Sequence, residues 1–238
     1  MLHPEQIERA LVITAHPDDV DFGAAGTVAN LTDAGVVVTY CLVTDGEAGG
    51  HDLTIERSRM AAIRREEQTK AAAEVGVTDL CFLGYSDGAV EFNLELRHGL
   101  SRVIRQARPQ VVITQSPQIN LASVYGSHAD HVATGQGVWA AVYPDARNPF
   151  AFPELLISGF EPWSVDEIWV MNQEGAQHVV DITSQVDRKI RALRCHVSQH
   201  RDPDALEERV REWYRVIAQE GGLPEGASAE RFYVVNAR

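Results

Sequence analysis

The stretch Val12-Ile13-Thr14-Ala15-His16-Pro17-Asp18-Asp19-Val20-Asp21-Phe22-Gly23-Ala24-Ala25-Gly26 reads as a buried strand, an abrupt turn and a helix start. Leu11 to Ala15 is short, apolar and β-branched, the composition of a strand buried on both faces, and Pro17 stops it at once. From Phe22 onward, Phe22, Ala25, Val28 and Ala29 recur at helical spacing, so a second element begins within about six residues. In the nucleotide-binding form of such a turn, glycines let bare backbone N–H groups approach a phosphate at the helix N-terminus. Here His16, Asp18, Asp19 and Asp21 occupy that place. Their carboxylates repel a phosphate and suit a cation, because imidazole nitrogen with carboxylate oxygen is a ligand set for zinc and related divalent metals. Taken alone, Asp18 or Asp19 could equally cap the helix.

Working outward, the alternation continues. Gly35 ends the first helix, and Val36 to Val43 forms a second strand followed by the polar, mobile loop Thr44 to Asp52, which holds His51. Thr54 to Val75 is rich in helix formers and Gly76 stops it. Met60, Ile63, Ala71 and Val75 make its apolar stripe; Glu67 falls on that stripe, and Arg64, three residues earlier, is placed to pair with it. Leu80 to Leu83 is a third strand ending in Gly84-Tyr85-Ser86-Asp87-Gly88. Leu96 to Ala107 is helical, Pro109 breaks it, and Val111 to Thr114 is a fourth strand. Strands joined by helix-length connections predict a parallel sheet, whose carboxyl edge receives the His16 turn, the His51 loop and Asp87.

The polar loop Gln115 to Ser127 leads into His128-Ala129-Asp130-His131 at a helix start, where histidines three apart share one face and address a common point. Pro144 to Trp163 is proline-rich and carries Phe150, Phe152 and Phe160, which reads as a cover whose aromatics need burial. Glu167 to Met171 and His178 to Ile182 are two further strands. Thr183 or Ser184 can cap a helix that ends near Val197, and Pro203 to Glu220 is another, with Leu206, Val210, Trp213 and Ile217 on one face. Phe232 to Val235 closes the pattern as an edge strand. The expectation is one domain over residues 1–238: α/β, a single-domain Rossmann-like three-layer fold with a mostly parallel sheet.

Composition narrows the function classes. With 34 acids against 21 Lys and Arg, the formal net charge is −13, which repels polyphosphate and anionic lipid and argues against nucleic-acid and membrane partners. Cys41, Cys81 and Cys195 show no CxxC spacing, so neither a disulfide framework nor a thiolate metal site is indicated. Met1 to Ala10 lacks an apolar leader core, and no apolar run is long enough to span a bilayer. A cytoplasmic location is the expectation, and a homo-oligomer is compatible with it.

Together, Ala15-His16-Pro17-Asp18-Asp19, the Gly23/Gly26 helix start, Arg64-x-x-Glu67, Asp87-Gly88, His128-x-Asp130-His131 and Lys189-x-x-Ala192-x-x-x-His196-x-Ser198-Gln199 resemble the LmbE-like, or PIG-L, family of zinc-dependent de-N-acetylases over nearly the whole chain. That family includes the deacetylases of N-acetylglucosaminyl-phosphatidylinositol and of mycothiol and bacillithiol biosynthesis. The resemblance implies His16, Asp19 and His131 as metal ligands, Asp18 as general base, His128 as the group that polarises the amide carbonyl or protonates the leaving amine, and Asp130 as its orienter. It places Arg64 and Asp87 in the sugar site. The implied cofactor is Zn2+, or another divalent metal such as Fe2+, and the implied substrate is a small amino-sugar conjugate. Val20 replaces a glutamate common after the Asp pair. Gly126 stands where some relatives carry a tyrosine, with Tyr125 one position further back. Alternatives are an amidase of the same family that cleaves a larger acyl amide and, more remotely, a nucleotide-binding module.

Overall fold

A computed structural model describes residues 2, 4–121, 124–171, 173 and 175–238, leaving out the side chains of Pro4 and Tyr125. β1 (Arg9–Thr14) runs into α1 (Asp19–Gly23), which breaks at Ala24 into α2 (Ala25–Asp33). The continuous helix expected from Phe22 is thus two. Then come β2 (Val37–Thr44), α3 (Arg57–Glu74), β3 (Asp79–Tyr85), α4 (Leu94–Ala107), β4 (Val111–Thr114), α5 (Ala129–Ala140) and α6 (Pro153–Ile157). β5 (Glu167–Met171), β6 (His178–Asp181), α7 (Val186–Arg194), α8 (Pro203–Glu220) and β7 (Ala229–Asn236) complete the order. α7 starts after Gln185 rather than at a Thr183 or Ser184 cap, because both Thr183 donors bond back to the Asp181 carboxylate.

All seven strands form one sheet in the order β3-β2-β1-β4-β5-β7-β6. β1 to β5 are mutually parallel, while β7 runs antiparallel to both β5 and β6. Phe232 to Val235, expected at an edge, therefore lies inside the sheet, and β6 takes the edge. Strand alternation specifies faces, not neighbours, so this pairing was invisible to periodicity.

The period of two sorts the core into layers. Ala10 and Val12 of β1, with Val38, Tyr40 and Leu42 of β2, pack against Val28 and Ala29 of α2, Ala71 of α3, Val75 just after it and Ala192 of α7. Leu11, Ile13, Cys41 and Val43 face the other way, onto Leu96, Leu100, Ile104 and Val138 of α4 and α5. A third cluster joins α7 and α8 through Ile190, Leu206, Val210 and Tyr214. Among the described residues, no helix is long and apolar enough to cross a membrane.

Two features of this frame position the site. The chain moves outward from β1 through β2 to β3, then crosses back to lay β4 on the other side of β1. The connections leaving β1 and β4 diverge, which opens a crevice at their carboxyl ends. The proline-rich stretch is held from beneath by Arg105 of α4, which is 1% exposed and donates to the carbonyls of Asp145, Ala146, Asn148 and Ala151. Phe150 remains 88% exposed, so a buried guanidinium, not the burial of all its aromatics, fixes this segment.

Candidate active site

The turn after β1 is held on every side. Asp18 adopts a left-handed backbone (φ 82°), a conformation that costs a non-glycine residue about 1–3 kcal/mol and persists only where neighbours impose it. Here Asp18 N donates to Gln68 Oε1 at 2.7 Å, and His16 N donates to the Asp19 carboxylate at 2.7 Å. Ala15 N donates to Gln115 Oε1 at 2.9 Å, tying the turn to the residue that follows β4. The Thr44–Asp52 loop, expected to be mobile, is pinned through Arg64 to Gly46 O, a two-point pair between Arg65 and Asp45, and His51 to Gln199 O.

Three side chains converge over the crevice. His16 Nδ1 lies 3.2 Å from His131 Nε2 and 3.3 Å from Asp19 Oδ2, and Asp19 Oδ1 lies 3.1 Å from His131 Nε2. Ligand atoms bound at zinc distances on a tetrahedron stand about 3.3–3.5 Å apart, so the set fits a divalent metal with one position open. The far nitrogen of His16, Nε2, lies 3.1 Å from both Asp130 Oδ2 and Asp87 Oδ1. Carboxylates behind a ligating imidazole fix its tautomer and raise its basicity. Burial opposes charge on His16, but the bonds to Asp130, Asp19 and Asp87 outweigh it and push its pKa up to about 12. This much negative charge calls for a cation at His16, and a metal held at Nδ1 would meet that demand with the Nε2 proton facing the carboxylates.

The Asp130 carboxylate, expected to orient His128, serves His16 instead. Its other bonds come from Gly88 N at 2.7 Å and Val90 N at 3.1 Å, which lock it to the turn after β3. His128 caps α5, its Nδ1 accepting from Asp130 N at 3.2 Å. That leaves Nε2 to carry the proton of the neutral ring. A His128 ring nitrogen lies within 4.8 Å of those of His16 and His131, and the ring stands edge-on to His16. Burial, then the nearby His16 and His131 charges, hold the His128 pKa below its ordinary value.

Arg64 and Glu67 do not pair with each other. Arg64, 4% exposed, donates to Asp18 Oδ2 at 3.0 Å and to Pro17 O, whereas Glu67 accepts from the amide and hydroxyl of Ser198 at 2.7 Å each. Asp87 accepts from Ala48 N as well as facing His16. Arg64 and Asp87 therefore both sit at the site with internal partners. Burial pushes the Asp18 carboxyl up to about 6, opposed by the Arg64 charge and reinforced by that of Asp19. The side chain of Tyr125 lies outside the described residues.

Sequence reading missed the support beneath the turn. Gln68 Nε2 donates to Asp21 Oδ2, which also contacts His196 Nε2 at 2.8 Å, so Asp21, in the first turn of α1, is fully buried and partnered. Lys189 Nζ donates to Asp21 O, Phe22 O and Glu230 Oε1, while Glu230 accepts from Gly26 N and Thr27 N. The broken ends of α1 and α2 are thus satisfied by one buried ion pair. A Cβ at Gly26 would meet the Ile182 side chain at 2.7 Å, which accounts for glycine at this start. The available signal was the polar inner face of α3, where Arg64, Glu67 and Gln68 are buried beside Met60 and Ala71.

The family model for GlcNAc-PI de-N-acetylase, PIG-L, matches residues 11–142, the span from β1 to just beyond α5 that supplies His16, Asp18, Asp19, His128 and His131. The chain belongs to the PIG-L family. Among its relatives is the diacetylchitobiose deacetylase of Thermococcus kodakarensis, 32% identical over 221 residues, covering 92% of this chain and 80% of that protein. A Bacillus cereus protein described as "Probable N-acetyl-alpha-D-glucosaminyl L-malate deacetylase 2" is 32% identical over 197 residues, covering 79% of this chain and 82% of its own. The solved structure of the N,N'-diacetylchitobiose deacetylase of Pyrococcus horikoshii, in complex with its inhibitor MPG, superimposes with a TM-score of 0.89 at 29% identity, covering 98% of this chain and 85% of that one. As a PIG-L member the chain has the three-layer fold that its sequence predicts.

Proposed function

We propose that residues 1–238 form one metal-dependent deacetylase domain that removes the N-acetyl group from an N-acetylglucosamine conjugate, with His16, Asp19 and His131 holding the metal. The carrying observation is the mutual spacing of 3.1–3.3 Å among His16 Nδ1, Asp19 and His131 Nε2. Zinc suits this nitrogen and oxygen set, as does Fe2+. When bound, the metal supplies Lewis acidity and lowers the pKa of a coordinated water to about 7. Asp18, adjacent to a ligand but turned to Arg64, takes the proton of the attacking water on its carboxylate, and Arg64 holds that carboxylate in place. His128 donates a hydrogen bond from Nε2 to the amide carbonyl and polarises it, and the proton that Asp18 accepts from the water passes to the amine, which leaves poorly otherwise. Asp87 and Asp130 hold His16, and Arg64 and Asp87 border the space for the sugar. The three relatives described above are named as deacetylases, which favours an acetyl over a larger acyl group, and the carboxylates in the phosphate position disfavour a nucleotide.

The test is amine release from a panel of N-acetylglucosamine conjugates alongside elemental analysis. About one divalent metal per chain is expected, lost in His131→Ala and kept in His128→Ala. Full turnover by metal-free protein would overturn the reading.

A further inference from the structure

The cleft that opens from Asp19 and His131 has a volume of about 460 Å³, in the range that encloses a small ligand, and Gln115 stands in its wall with those two side chains. Gln115 follows β4 directly and is 7% exposed. Its Oε1 accepts from Ala15 N at 2.9 Å, one residue before His16. A backbone N–H only donates, so the carboxamide oxygen must face Ala15 and the Nε2 amino group must point away from it. That amino group has no hydrogen-bond partner among the described residues. The backbone beneath it is fixed by α5: a Cβ at Gly135 would lie 2.8 Å from Gln115 O and 2.7 Å from Pro117 N. Gly126, in the same wall, offers no side chain to meet the amino group. A nine-tenths-buried amide of set orientation thus keeps its donor half free beside two of the metal-holding side chains.

Building on the deacetylase reading, we propose that Gln115 is a catalytic residue whose Nε2 donates to the acetyl carbonyl oxygen, so that with His128 it stabilises the oxyanion formed when water adds to the acetyl carbon. As the π pair of the carbonyl moves onto oxygen, that oxygen gains charge, and a fixed N–H bond is worth more there than on the resting amide. Burial strengthens the bond further. The orientation selects this partner. A sugar hydroxyl uses both the donor and the acceptor of an amide, whereas a carbonyl oxygen uses donors alone, and Ala15 has already taken the acceptor. A neutral amide also polarises the carbonyl without competing with a metal for the Asp19 carboxylate, as an ammonium in this place would.

The experiment compares metal-loaded wild type, Gln115→Glu and Gln115→Met on N-acetylglucosamine and N-trifluoroacetylglucosamine, reading released amine, with metal content and thermal melts measured alongside. Gln115→Glu keeps an acceptor for Ala15 N and loses the amino donor. It should therefore melt and hold metal as wild type does while kcat on the acetyl substrate falls by about 10²-fold at a KM within about twofold. Gln115→Met, which lacks donor and acceptor, should lose at least as much. Fluorine withdraws charge from the oxyanion, so both variants should lose only about tenfold on the trifluoroacetyl substrate. Equal losses on the two substrates mark a role in holding the His16 turn and overturn the proposal. So does a loss confined to KM, which places the amide on the sugar, and so does an unimpaired Gln115→Glu, whatever Gln115→Met shows. Each of these leaves the deacetylase reading standing, whereas no amine from wild type on either substrate overturns both.

Discussion

Two adjacent aspartates face different partners because the backbone turns left-handed at Asp18: Asp19 meets His16 and His131, and Asp18 meets Arg64. That division yields a first prediction. Asp18→Asn should retain its metal while kcat falls by about 10²–10⁴-fold, the usual worth of a positioned general base; unchanged kcat would remove Asp18 from that role. Asp130 makes a different prediction. Because its carboxylate braces His16 rather than His128, Asp130→Ala should weaken metal affinity by about 10–100-fold, measured by competition with a chelator. A variant of normal affinity that is impaired only in turnover would restore the expectation that Asp130 orients His128. His16, Asp19, His128 and His131 were legible because each lies on a short turn or one helical face, where spacing fixes direction. The partners of Asp130, Glu67 and Arg64 were not, since Gly88, Ser198 and Asp18 reach them only through tertiary packing.

The junction of α1 with α2 rests on groups far away in sequence. Lys189 and Glu230 are both fully buried, and burial, which disfavours the ammonium, is outweighed by Glu230 and Tyr214, so the Lys189 pKa is raised. Lys189→Met leaves Glu230 as an unpaired buried charge and should cost about 3–5 kcal/mol in urea unfolding; a loss within experimental error would show that the carboxylate finds relief elsewhere. His196 beneath α1 gives the pH dependence. Burial disfavours its protonated ring, but the Asp21 hydrogen bond and charge, with that of Asp18, raise its pKa above the ordinary value. The folded protein therefore holds this proton more tightly than the unfolded chain. The stabilisation is whole below about pH 6.5 and disappears as pH climbs through the folded pKa. Thermal melts of wild type and His196→Asn should differ most in acid and converge in alkali, and a gap that grew with pH would contradict the assignment.

Across the molecule, the parallel half of the sheet was readable because strands buried on both faces are continuous apolar runs. The other half was not, because β7 reaches its place between β5 and β6 by a long-range choice that no local pattern encodes. The same limit hid Arg105, a helical cation whose carbonyl partners lie 40 to 55 residues away. Arg105→Ala should speed amide exchange across residues 144–163 while leaving β1 and β2 protected, and uniform loss of protection would mean that the cover is integral to the core. The Glu230 that caps α2 also carries a consequence for biosynthesis. It joins the helix 204 residues after Gly26 has been made, so a chain still on the ribosome holds its catalytic turn over an uncapped helix and an unpaired Lys189. Hydrolytic competence should therefore wait until the stretch around Glu230 has been made and slides between two strands already in place.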